Sequence, residues 1–97
     1  MPALTIVAHI HAEADHVEDV KTALQNLVAP TRAEKGCLQY DLHQDNEDPA
    51  HFMFYENWTS RKTWQDHMNS DHLKANGPIT AGKIARVDLF EMTLDKG

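Results

Sequence analysis

Seven histidines and a glutamate set in an aromatic run are the residues of this chain that bear most directly on chemistry. Glu56 alternates with Phe52, Phe54 and Trp58 in the run HFMFYENW. An extended segment puts these four side chains on one face, where burial raises the carboxyl pKa and makes the group a base or proton store near neutral pH. A buried glutamate that only ties helix to sheet, through backbone amides or a histidine, explains the pattern equally well. His67 lies late in a helical stretch, and an imidazole titrates close to neutrality, which suits proton transfer. His72 follows five residues later across an expected helix break, so whether the two rings converge stays open. Either could instead be a helix-end histidine bonded to a carbonyl or carboxylate. Tyr40 offers a hydroxyl donor and Trp58 an aromatic wall for a flat substrate, or both are plain core.

Metal chemistry finds little support in the spacing. His9 and His11 share a strand face but have no third ligand tied to them, and His67 to His72 is not the four-residue step that aligns two ligands on one helix. Cys37 is the only cysteine, which excludes an intrachain disulfide and a cysteine zinc cage. No base stands beside it in sequence, so a small apolar role is expected. The expectation is no metal site.

The elements that must position these groups can be read from periodicity. Leu4 to Ala12 alternates as a strand, with Leu4, Ile6, Ala8, Ile10 and Ala12 on one face and Thr5, Val7, His9 and His11 on the other. Asp15 and Glu18 have capping-box spacing ahead of Val17, Val20, Leu24, Leu27 and Val28, an amphipathic helix that Pro30 disturbs and Gly36 stops. Cys37 to His43 alternates again, with Leu38, Tyr40 and Leu42 on one side. The polar QDNEDP then leads into His51 to Trp58, which predicts a hairpin. Thr59 or Ser60 caps a second helix through about Met68. Asn69-Ser70-Asp71 breaks it and re-caps a short piece that Asn76-Gly77-Pro78 ends. Ile84 to Leu94 is a last, imperfectly alternating strand.

The order is strand, helix, strand, strand, helix, strand. It predicts an α+β, ferredoxin-like βαββαβ domain over residues 1–97, with both helices on one face of an antiparallel four-stranded sheet. The second face, expected to carry Val7, Met53, Tyr55, Val87 and Leu89, is too apolar to leave in water, and a homodimer packed sheet to sheet would cover it.

At 97 residues, the chain has room for one core. Its 41% apolar and 25% charged residues are those of a globular protein. Fifteen acidic against nine basic side chains give a net charge of -6, with no basic stripe, so nucleic acid is not an expected partner. Apolar runs are far too short to span a bilayer and no signal-peptide layout opens the chain, so no membrane partner and a cytoplasmic location are expected.

Between Glu34 and His72 the chain resembles the antibiotic biosynthesis monooxygenase family. The likeness rests on Gly36-Cys37-Leu38, Tyr40, Asp48-Pro49, Phe52, Tyr55-Glu56, Trp58, Ser60, His67, Ser70 and His72, in order. Lys35 stands where the family often has proline. Trp64 stands where a smaller aliphatic residue is common, and is expected to narrow the pocket. The resemblance implies a dimeric α+β barrel. It also implies oxygenation of a small electron-rich aromatic, of hydroquinone or polyphenol type, by dioxygen, with no metal, flavin or other cofactor. Such chemistry needs a base, an apolar pocket and donors for an oxyanion. His67, Glu56 and His72 are the catalytic candidates, with His67 first by its family position; Tyr40, Trp58, Phe54 and Trp64 are the candidates for substrate binding. Related haem-degrading oxygenases use an asparagine, a tryptophan and a histidine. The first strand here has histidines and no asparagine, and His67 occupies the tryptophan's stretch, which disfavours haem. The alternatives are an isomerase of a small phosphorylated metabolite, with Lys62, Lys74 or Arg86 as anion site, and a non-catalytic dimeric binding module.

Overall fold

The computed structural model describes residues 3–97. Strand β1 (Leu4–Ala12) is followed by α1 (Val17–Arg32), β2 (Cys37–Gln44), β3 (His51–Trp58), α2 (Arg61–Met68), α3 (Asp71–Thr80) and β4 (Ile84–Met92). The strands form one antiparallel sheet in the order β2-β3-β1-β4, the ferredoxin-like arrangement, with the second helix in two pieces. No helix among the described residues is long and apolar enough to cross a membrane.

The period-two pattern of β1 and β3 is realised directly. Ile6, Ala8, Ile10 and Ala12 are buried with Phe52, Phe54, Glu56 and Trp58, and cross-strand partners share a face, as Ile6 with Glu56 and Ala8 with Phe54. Helix α1 lays Val20, Ala23, Leu24 and Leu27 on that surface. Burying these side chains is the main stabilising term, at about 25 cal/mol per Å² of apolar area.

Three local expectations are corrected. The Asp15/Glu18 capping box does not form: His16 holds the N-cap position with no side-chain cap, and Glu18 and Asp19 lie in the first turn, favourably toward the helix dipole. Leu38 is 60% exposed, because a bulge between Cys37 and Gln39 breaks the alternation of β2. Helix α3 does not end at Asn76-Gly77-Pro78 but runs to Thr80. Proline already has a helical φ and forfeits only one bond there, while the Thr80 hydroxyl donates to the Asn76 carbonyl at 3.1 Å.

In β4 the register assigns the faces. Val87 lies opposite Ile10 and Leu89 opposite Ala8, so both point to the helix side. Phe90 and Met92, opposite Val7 and Thr5, occupy the other face instead. A shift between His11 and Ala12 brings Ile84 to the helix side as well. Both parities of this strand are apolar, so alternation alone could not orient it.

Candidate active site

Between the helices and the sheet lies an open cavity of about 170 Å³. Its floor is Ala8, Ile10, Phe54 and Glu56, and Leu24 and Leu27 of α1 form one side. Tyr40 and His67 stand against it. Leu73 and Asn76 of α3 face Val87 and Leu89 of β4 across the rest, and both β4 side chains are exposed. Apart from Glu56, His67, Asn76 and the Tyr40 hydroxyl, the wall is apolar, and no lysine or arginine lines it among the described residues.

Glu56 is 4% exposed and accepts a hydrogen bond from the Trp58 indole N–H at 3.0 Å. Burial pushes its pKa up to about 7; the indole bond opposes the shift and the charge of Glu34 adds to it. Glu56 therefore exchanges its proton near neutrality. Tyr40 stacks on Phe54 with ring centroids 4.5 Å apart. Burial, then the charge of Glu56, holds its phenol well above the ordinary range, so it remains a hydroxyl donor.

His67 is fixed on three sides. Its ring lies 4.8 Å from that of Trp58 and 5.5 Å from that of Tyr40. Its Nδ1 meets Glu34 Oε2 at 2.6 Å, which assigns the proton to Nδ1 in the neutral ring and makes Nε2 the acceptor. Among the described residues no group hydrogen-bonds Nε2. Burial lowers the His67 pKa and outweighs the pull of Glu34, which favours the neutral ring.

His72 converges with His67, but on Glu34 rather than on the cavity. Its Nε2 lies 2.8 Å from the same Glu34 Oε2, with the hydroxyls of Thr31 and Ser70 at 3.2 and 3.3 Å. Trp58 and Trp64 belong to the core and do not line the cavity; Trp58 reaches it through Glu56. Trp64 buries its indole N–H without a hydrogen-bond partner among the described residues.

Glu34 is the residue that the motif reading passed over. It sits just beyond α1, 33 and 38 positions from its two partners. Gly36 delivers it. With φ at +89°, this glycine crosses so close to α2 that an added Cβ would fall 2.5 Å from Thr63 Cβ. Thr63 is itself locked in a capping box with Ser60, and Ser70 caps α3, turning the chain so that His72 points back at Glu34. Two lone histidines in a dry region each require a partner, and that requirement was the available signal.

Residues 3–76 match the family described as antibiotic biosynthesis monooxygenase. The solved structure of PA3566 from Pseudomonas aeruginosa superposes with a TM-score of 0.94 at 35% identity, over 98% of this chain and 96% of that one. Rv0793 of Mycobacterium tuberculosis, which carries a provisional monooxygenase name, is 29% identical over 71% of this chain and 67% of its own length. The sll1783 protein of Synechocystis is 22% identical over 92% of this chain. This chain spans 63% of that relative's length.

Proposed function

The chain belongs to the antibiotic biosynthesis monooxygenase family, and from that membership we propose that it oxygenates a single-ring hydroquinone with dioxygen, without bound metal or flavin. The observation that carries this reading is the pairing of an apolar cavity with a histidine whose Nδ1 is bonded to Glu34. An apolar cavity of roughly 150 Å³ accepts benzene, so 170 Å³ suits one aromatic ring.

In this scheme Nε2 of His67 takes the proton from a substrate hydroxyl, and Glu34 stabilises the imidazolium that results. The electron-rich anion reacts with dioxygen. One oxygen atom enters the ring, which leaves as a hydroxyquinone, and the other departs as water, so the substrate supplies all the electrons. Glu56, titrating near 7, returns or accepts the second proton, and the Tyr40 hydroxyl steadies a developing oxyanion. His72 acts one step back by holding Glu34.

An isomerase acting on a phosphorylated metabolite needs a cation in the pocket, and the cavity wall offers none among the described residues. We further propose a homodimer through the sheet face that carries Val7, Tyr55, Phe90 and Met92, with the location cytoplasmic. Oxygen uptake with a panel of hydroquinones tests the activity. Uptake above the autoxidation rate supports an oxygenase; binding without uptake supports a non-catalytic module.

A further inference from the structure

We propose that Glu34, His67 and His72 form a binding site for a zinc-type divalent cation. Glu34 Oε2, His67 Nδ1 and His72 Nε2 lie within 4.8 Å of one another. Tetrahedral zinc, with bonds of about 2.0–2.2 Å to nitrogen and oxygen, holds its ligands about 3.4 Å apart. The two nitrogen–carboxylate contacts, at 2.6 and 2.8 Å, therefore open by less than 1 Å to admit the ion. Two imidazoles and a carboxylate select zinc and its first-row neighbours and reject magnesium and calcium, which require oxygen.

The surroundings also favour a cation. Glu34 brings one negative charge, Glu56 is close enough to interact with it electrostatically, and the whole chain carries -6. Side-chain exposures of 16% for Glu34 and 23% for His72 leave a path from solvent, while His67 at 3% anchors the inner side. The Thr31 and Ser70 hydroxyls near His72 Nε2 are placed to hydrogen-bond a water in the fourth position. Three ligands plus water is an open site.

Coordination through His67 Nδ1 leaves the remaining ring proton on Nε2. The loaded chain then lacks the free Nε2 acceptor at the cavity, so the cation inhibits; this consequence, unlike the site itself, rests on the proposed role of His67.

Calorimetric titration of chelator-stripped protein with Zn²⁺, and with Mg²⁺ as control, tests the site. One Zn²⁺ per chain at micromolar affinity or tighter is expected, weakened at least tenfold in Glu34→Gln and in His72→Asn, unchanged in His51→Asn, with no Mg²⁺ bound. Equal affinity in wild type and His72→Asn, or loss only in His51→Asn, would overturn it, the latter placing the ion on the opposite sheet face. Zinc-edge X-ray absorption of the wild-type protein needs no variant: two imidazoles are expected in the first shell, and none or three would contradict the assignment. If bound Zn²⁺ leaves oxygen uptake unchanged, the inhibition is refuted while the site stands.

Discussion

Glu56 has no cation among the groups that shift its titration, and this decides its behaviour. The folded chain holds its proton more tightly than the unfolded chain. Its contribution to stability is therefore full below about pH 4.5 and is lost as pH rises through about 7. A shift of that size corresponds to roughly 3 kcal/mol. Urea unfolding of Glu56→Gln should show correspondingly less loss of stability between pH 5 and pH 8 than wild type; parallel curves would show that burial is not the cause. The same residue was legible in sequence because its strand parity with Phe52, Phe54 and Trp58 survives intact. Glu34 was not legible, since nothing local marks it, and its value comes from two histidines that only tertiary structure brings near. Because it orients the His67 base and stabilises its charged form, it should be worth about 10- to 100-fold in oxygen uptake, part of the roughly 10²- to 10⁴-fold that a general base supplies. Glu34→Gln should therefore slow uptake in that range and shift the acidic limb of the pH–rate profile, which a purely structural loss would leave in place.

At the scale of elements, the site depends on two short connections. Gly36 brings the end of α1 against the first turn of α2, and Ser70 resets the helix direction between His67 and His72. Gly36→Ala forces a side chain into a positive-φ position and into Thr63, and should cost about 2 kcal/mol or more in the urea midpoint. Ser70→Ala removes a cap worth about 1 kcal/mol and should also weaken the hold on His72. Both caps, Ser60 and Ser70, were readable because serine before a helix has a local hydrogen-bond reason to be there. The bulges in β2 and at the β1–β4 pairing were not, because one extra residue is decided by the partner strand. That is why Leu38 left the face of Tyr40 and Leu42, and why Ile84, opposite in parity to Val87 and Leu89, shares their side.

At the scale of the whole molecule, one face of the sheet is covered by helices and the other by no helix among the described residues. Phe90 and Met92 are each nearly half exposed there, beside Tyr55 and a histidine group in which His9 Nδ1 and His51 Nε2 lie 2.8 Å apart and His51 bonds Asp45. If that face is the dimer interface, light scattering should give twice the chain mass for wild type and the chain mass for Phe90→Asp; a monomeric wild type would remove the dimer from the account. The fold class was legible because the order of elements and the faces of β1 and β3 follow from alternation, whereas the orientation of β4 required the register.

Under the proposed function, the cavity beside His67 oxygenates a hydroquinone with this histidine as base. The direct measurement is oxygen uptake by chelator-treated protein across single-ring hydroquinones, for wild type and His67→Ala side by side. Uptake above autoxidation that falls about 10²-fold or more in the variant is the predicted result. Equal uptake by the two proteins would contradict it.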